Sequence, residues 1–116
     1  MDFKDNKPIY RQIIDYCFGC ILSGAWVPEQ KTPSVRELAV KMQVNTHTVL
    51  KAFDFLQVHG IIYPRRGMGF YISPDAPQMV NTTRRQEFFE ETLPALFDEM
   101  RMLGISIDEV SSRWKP

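Results

Sequence analysis

Residues 32–53, TPSVRELAVKMQVNTHTVLKAF, predict two short helices joined by a tight turn. Ser34 and Glu37 have the spacing of a capping box, so a helix is expected to begin at about Val35. Asn45 is suited to cap a second helix, because an asparagine side chain accepts hydrogen bonds from the first helical turn. Apolar residues then follow helical spacing in both segments, at Leu38, Ala39 and Met42 and again at Val49, Phe53 and Leu56. This order is typical of a helix-turn-helix, whose second helix presents its N-terminus to base edges in the major groove.

The flanking segments extend this pair to three helices and a hairpin. Asn6 and Pro8 indicate the start of an amphipathic first helix, and Gly24 indicates its end. Gly60 is expected to stop the helix that Asn45 opens. Residues 61–72 then hold two β-rich runs around a Pro/Gly turn, which predict a hairpin. Three helices followed by a hairpin is the order of a winged helix. The predicted fold class is therefore mainly α with a small β-hairpin, a winged helix-turn-helix followed by a short helical tail.

The predicted organisation is a winged helix-turn-helix at residues 1–73, a proline-containing linker at 74–80 and a helical dimerisation tail at 81–116. The tail has an apolar seam with the 4, 3, 4, 3 spacing of a/d positions, formed by Phe89, Leu93, Leu96, Met100 and Leu103. Pro94 is expected to kink or restart the helix that carries this seam. The seam needs burial, either on its own domain or against a second copy of the chain. Pairing is favoured because palindromic DNA sites require two-fold symmetry in the protein.

Charge is distributed unevenly along the chain, although the formal net charge is zero. Residues 31–66 contain six basic and two acidic side chains, a local net charge of +4. From residue 77 onward there are five basic and seven acidic side chains, a net charge of −2. A basic segment beside an acidic one is typical of a DNA-facing domain with a separate tail, although a scatter of solvated charges also gives such contrasts.

Several classes of protein are disfavoured by the composition and the motifs. No apolar run approaches the roughly 20 residues of a membrane span, and the first ten residues contain no apolar signal segment, so a cytoplasmic protein is expected. No paired carboxylates, nucleophile motif or phosphate loop indicate an enzyme, and no cofactor is expected. Cys17 and Cys20 form a CxxC, but a zinc site needs two further ligands. His47 and His59 are twelve residues apart on one predicted helix, about 18 Å at 1.5 Å per residue. No metal site is therefore predicted, and Cys17 is interpreted as a small hydrophobe in the first helix.

Short motifs between residues 8 and 72 form a recognisable set. They are PIY at 8–10, PSVRELA at 33–39, VN at 44–45, TV at 48–49, KAF at 51–53, and RG at 66–67 followed by Gly69. In combination they resemble the GntR family of bacterial transcription regulators. The tail, with LGIS at 103–106, is similar to the YtrA subfamily, which lacks a large effector-binding domain. YtrA-like proteins commonly have Pro-Asn where this chain has Thr46 and His47, which implies an altered operator.

The resemblance and the local chemistry together assign DNA-binding roles. The recognition helix, residues 45–59, is expected in the major groove, and the wing, residues 63–70, at the minor groove. Base reading is expected of Thr46, His47 and Thr48, since each can donate or accept a hydrogen bond. Alternatively, Thr48 takes part in capping and His47 is simply solvated.

The other predicted contacts are to the DNA backbone and at the wing tip. Lys31, Ser34 and Lys51 are expected on phosphates, while Arg36 is expected on a phosphate or a guanine edge. Arginine can enter a narrow minor groove and glycine permits close approach of the backbone. The predicted contact set is completed by Asn45, Arg65, Arg66, Gly67 and Gly69.

The function predicted from the sequence is a sequence-specific DNA-binding transcription regulator, a homodimeric repressor of a palindromic operator. The expected partners are double-stranded DNA and a second copy of the chain, and a small-molecule effector at the dimer seam is left open. The alternative is a winged helix used only for protein–protein contact, because a fold does not commit a protein to one function.

Overall fold

The computed structural model describes residues 7–116, so the predicted role of Asn6 lies outside the described residues. The described chain contains six α-helices, a π-helical segment and one β-hairpin. In chain order these are α1 (Ile9–Ser23), α2 (Val35–Met42), α3 (Thr46–Val58), β1 (Ile62–Arg65), β2 (Gly69–Ile72), α4 (Ala76–Glu87), the π-helical segment (Phe88–Thr92), α5 (Leu93–Leu103) and α6 (Ile107–Ser112). The chain divides into two compact units, Met1–Asn81 and Thr82–Pro116.

The predicted starts of α2 and α3 are confirmed by their capping hydrogen bonds. The Ser34 hydroxyl accepts from the backbone N–H of Glu37 at 3.0 Å, and the Glu37 carboxylate accepts from the backbone N–H of Ser34 at 3.2 Å. Asn45 Oδ1 accepts from the backbone N–H of His47 at 2.8 Å. Between the two helices Gln43 adopts a left-handed conformation, with φ +58°. These local bonds satisfy N–H groups that have no partner within a helix, and they fix where each helix begins.

The core of the first unit is built from the apolar faces of α1, α2 and α3. Its fully buried side chains include Ile13, Cys17, Leu38, Val49, Phe53 and Leu56. Cys17 is a free thiol inside this cluster, which confirms its interpretation as a small hydrophobe. Burial raises the pKa of the Cys17 thiol, and the neighbouring Cys20 raises it further.

The hairpin is antiparallel, with Ile62 opposite Ile72 and Arg65 opposite Gly69. The connection between α1 and α2 runs along the β2 side of the hairpin. Residues 29–32 hydrogen bond to β2 there; Ile72 N–H, for example, donates to the Gln30 carbonyl at 2.9 Å. This pairing places Lys31 opposite Tyr71, beside the wing.

Residues 76–80, assigned to the linker from the sequence, are helical and belong to the first turns of α4. Ala76 and Val80 are fully buried in the core of the first unit. Pro77 interrupts nothing, because a proline in the first turn of a helix lacks only an N–H that would be unpaired there. Apolar burial at 76 and 80 therefore extends the first unit beyond the predicted boundary at residue 73.

The second unit contains the end of α4 and the helices of the tail. The expected interruption near Pro94 is confirmed: the π-helical segment precedes α5, and Pro94 lies in the first turn of α5. Gly104 ends α5 with φ +69°, and Ser106 caps α6 through a second capping box with Glu109. Within residues 7–116, no helix is both long enough and apolar enough to cross a membrane.

Candidate nucleic-acid interface

The N-terminus of α3 presents the predicted base-reading residues to solvent. Thr46 and His47 are exposed, and Thr48 is half-buried. The helix is capped by the side chain of Asn45, and among the described residues the hydroxyl of Thr48 takes no part in that cap. The capping bond uses the side-chain oxygen Oδ1 of Asn45 and leaves the side-chain N–H₂ group for another acceptor. The first turn of α3 therefore keeps its side-chain donors and acceptors available.

Lys51 lies one turn beyond these residues and is held by an aromatic ring of α1. Its Nζ atom is 4.0 Å from the centroid of the Tyr10 ring, which is within cation–π distance. Ile9, Tyr10, His47, Thr48 and Lys51 together line an open depression of about 380 Å³. The start of α1 thus joins the start of α3 on one surface. Tyr10 could not be assigned to this surface from the sequence, since no local pattern connects residues that are 41 positions apart.

The start of α2 offers a cationic side chain and a hydroxyl group that already accepts one hydrogen bond. Arg36 is exposed in the first turn. The oxygen of the Ser34 hydroxyl already accepts the capping bond, so only its hydrogen can be donated to a phosphate. The hydrogen bond from the Ser34 backbone N–H, followed by the side-chain bond to Ser34, lowers the pKa of the Glu37 carboxyl. Glu37 thus remains ionised close to this surface.

The wing combines basic side chains with two tightly turned glycines. Arg65 Cζ lies 4.2 Å from the ring centroid of Tyr71, so the guanidinium packs over the hairpin face. Arg66 is exposed in the turn. Gly67 and Gly69 have φ values of +73° and +90°, a backbone region that disfavours any side chain.

Lys31 reaches the wing from the connection between α1 and α2. A Cβ atom added at Gly69 would lie 3.1 Å from Lys31 Cε, so the lysine stem crosses the hairpin at this glycine. The structure therefore groups Lys31 with the wing.

Lys41, the remaining basic residue of the segment 31–66, is turned toward α1. Its Nζ atom donates a hydrogen bond of 3.0 Å to the Tyr16 hydroxyl, and this bond raises the pKa of Lys41. Lys41 is not among the predicted DNA contacts, and its hydrogen bond to Tyr16 makes it a useful reference cation for experiments.

The predicted dimerisation seam is mostly open to solvent in the described chain. Phe89, Leu96 and Leu103 are exposed, with 64% of Leu103 accessible. Leu93 is half-buried and Met100 is buried. Four of the five seam residues therefore keep apolar surface that a partner could cover.

Comparison with known proteins identifies this arrangement. Residues 9–72 match the gntR family of bacterial regulatory proteins. The chain belongs to this family. It is 34% identical over 110 residues to the transcriptional repressor YtrA of Bacillus subtilis, a match that covers 95% of this chain and 84% of YtrA.

Solved structures of GntR-type regulators have the same fold. A crystal structure of a GntR-family regulator from Bacteroides thetaiotaomicron superposes with a TM-score of 0.72 at 36% identity, over 90% of this chain and 91% of that one. AraR(DBD) in complex with operator ORR3 superposes with a TM-score of 0.57 at 30% identity, over 63% of this chain and 86% of that one. The fold class and the function predicted from the sequence, a winged helix-turn-helix transcription regulator that binds DNA, are confirmed. The alternative of a winged helix for protein contact alone is not supported.

Proposed function

We propose that this regulator is a homodimeric repressor that binds a palindromic operator. In this proposal the recognition helix, residues 45–59, lies in the major groove, and the wing, residues 63–70, lies at the minor groove. The observation that carries the proposal is the exposed, side-chain-capped N-terminus of α3, with Thr46 and His47 pointing to solvent and Lys51 beside them.

Base reading is assigned to the first turn of α3. Thr46, His47 and Thr48 supply hydroxyl and imidazole groups, and threonine also supplies a methyl group that can touch thymine. Asn45 keeps a free amide N–H₂ group for an acceptor on DNA. An α-helix fits the width of the major groove, so these groups can reach base edges without distortion of the fold.

Phosphate contacts are assigned to the basic side chains around α3. Lys51 is oriented by Tyr10, Arg36 extends from the first turn of α2, and Ser34 can donate its hydroxyl hydrogen. Cations at these positions would release counterions from the DNA and fix the register of the protein.

At the wing, the basic side chains are proposed to have different tasks. Arg66, at the tip, is assigned to the minor groove, whose negative potential attracts arginine. Arg65 and Lys31 pack along the hairpin and are assigned to the phosphates that flank the groove. Gly67 and Gly69 allow the backbone to approach the DNA closely.

Dimerisation is assigned to the seam on the tail, Phe89, Leu93, Leu96, Met100 and Leu103. The exposed apolar surface of this seam supports pairing with a second copy, and two-fold symmetry would give the two recognition helices the spacing of a palindrome. A cytoplasmic location follows from DNA binding and belongs to the same proposal. A small-molecule effector at the seam stays a prediction.

Selection of preferred duplexes from a random pool tests the DNA-binding part of this proposal. We expect a palindromic consensus whose half-sites are separated by about 10 base pairs, one helical turn, or a multiple of it. A consensus with a single half-site would contradict the two-fold arrangement. No enrichment of any duplex at low salt would contradict DNA binding itself.

Sedimentation of two tail variants tests the dimer. Leu96→Lys places a charge in the seam and should produce monomers. Met102→Lys is the matched control, because Met102 is 87% exposed and lies outside the seam, and it should remain dimeric. A dimeric Leu96→Lys variant would exclude this seam as the dimer interface.

A further inference from the structure

A leucine interrupts the polar surface of α3 that the proposed function places in the major groove. Leu50 is 41% exposed, whereas Val49, Ala52, Phe53 and Leu56 of the same helix are fully buried. Within the first two turns of α3, Leu50 is the exposed apolar residue, and the other exposed positions are Thr46, His47 and Lys51. Single exposed leucines are common on protein surfaces, so exposure alone does not indicate a function, and the position of Leu50 on the helix has to be considered.

The location of Leu50 is set by helical geometry. Residues three and four apart lie on the same face of a helix, so Leu50 shares a face with His47 and Thr46. A separation of four residues corresponds to about 6 Å along the helix axis. This short separation lets Leu50 and Thr46 contact neighbouring base pairs of the same half-site.

The charges around Leu50 also favour a contact of this residue with DNA bases rather than with the DNA backbone. Lys51 is turned toward Tyr10 at the edge of the face, and Asp54, one turn after Leu50, is exposed and acidic. Phosphates would be attracted to the lysine and repelled by the carboxylate. Leu50 is next to both charged residues on the helix surface and offers no hydrogen bond to a phosphate, so an apolar group on a base edge is the contact that suits it.

We propose that Leu50 is a specificity-determining residue that packs against the C5-methyl group of a thymine in the operator. This inference rests on the proposed function. The thymine methyl is the apolar group that base pairs present in the major groove, and the other base edges present hydrogen-bonding atoms there. Leucine packed against an unpaired donor or acceptor would leave that group without a partner, which is costly. Leu50 therefore selects thymine both by apolar contact and by rejecting the alternatives.

Replacement of thymine by uracil removes only the methyl group and tests the contact directly. The probe is a fluorescein-labelled duplex with the selected consensus, in which each thymine of both half-sites is replaced in turn by uracil. For wild type we expect one thymine position in each half-site at which replacement by uracil weakens binding about fourfold. This is the usual loss when one methyl group is no longer buried. For Leu50→Ala, uracil and thymine should bind equally at that position.

Two further variants separate this role from others. Val58→Ala also shortens an exposed apolar side chain of α3, 82% accessible at the far end of the helix, and should keep the preference for thymine. Thr46→Ser removes the threonine methyl; a preference lost in that variant and retained in Leu50→Ala would overturn the assignment. Circular dichroism and thermal unfolding should show that Leu50→Ala is folded, as expected for a side chain that is outside the buried core.

The remaining outcomes distinguish this inference from the proposed function. Wild type that binds its operator with no thymine-sensitive position, or Leu50→Ala that discriminates as wild type does, overturns the role of Leu50 and leaves DNA binding intact. Failure of the wild-type protein to bind any duplex overturns the proposed function, and the role of Leu50 with it.

Discussion

Replacing Lys51 with methionine should weaken binding to every DNA sequence and lower the salt dependence of binding. Methionine keeps most of the aliphatic length and can still pack on the Tyr10 ring, so the change removes mainly the charge. Each phosphate contact contributes about 0.9 to the slope of log K against log salt concentration, so two protomers should lose about 1.8. Between 50 and 200 mM salt, the wild type should therefore lose about 12-fold more affinity than Lys51→Met.

The Tyr10 ring should affect the same contact without changing the charge. Tyr10→Leu keeps the ammonium but removes the ring beneath it, 4.0 Å from Nζ. Cation–π contacts at exposed sites are worth about 0.5–1 kcal/mol, so affinity should fall about two- to fivefold per protomer. The salt slope should stay unchanged, and Tyr10→Phe, which retains a ring, should bind nearly as wild type.

Fluorescence anisotropy titrations at four salt concentrations would measure these affinities and slopes. Lys41→Met is the matched control, because Lys41 is hydrogen bonded to Tyr16 and has no assigned DNA contact. Its slope should equal that of wild type. An unchanged slope for Lys51→Met would show that Lys51 does not contact phosphate. A changed slope for Tyr10→Leu would refute the idea that Tyr10 only positions the lysine.

Three other predictions concern specificity, packing and pH. Thr46→Ala or His47→Ala should relax the preference at particular base pairs by about 1–3 kcal/mol in competition binding; a uniform loss over all sequences would contradict base reading. Phe53→Ala should lower the free energy of unfolding in urea by about 3–5 kcal/mol, because Phe53 is fully buried against Phe70; a loss below about 1 kcal/mol would show that the core refills the site. Glu37 has a lowered pKa in the folded state, so its ionised form stabilises α2 above the pKa of the unfolded chain, and this contribution is lost as the pH falls through the folded value. The stability difference between wild type and Glu37→Gln should therefore be constant near neutral pH and change only in acid, as thermal melts at a series of pH values would show; a change between pH 6 and 8 would exclude this cause.

The starts of the helices were predictable because the responsible interactions are local. Ser34 and Glu37 are three residues apart, and Asn45 bonds to a backbone group two residues further on. Helical spacing likewise identified the buried faces of α2 and α3. The linker was misplaced for the opposite reason. Whether Pro77 ends a helix or stands in its first turn depends on the burial of Ala76 and Val80, which the local sequence does not reveal.

The sequence by itself determined the order of the elements, the capped start of α3 and the basic character of residues 31–66, because periodicity, capping and charge are properties of neighbouring residues. The tertiary structure decided which side chains share a surface. It brought Tyr10 under Lys51 and Lys31 across Gly69, contacts between residues 41 and 38 positions apart. Such pairs depend on how helices and strands pack against one another, and packing is set by the whole core rather than by any one segment.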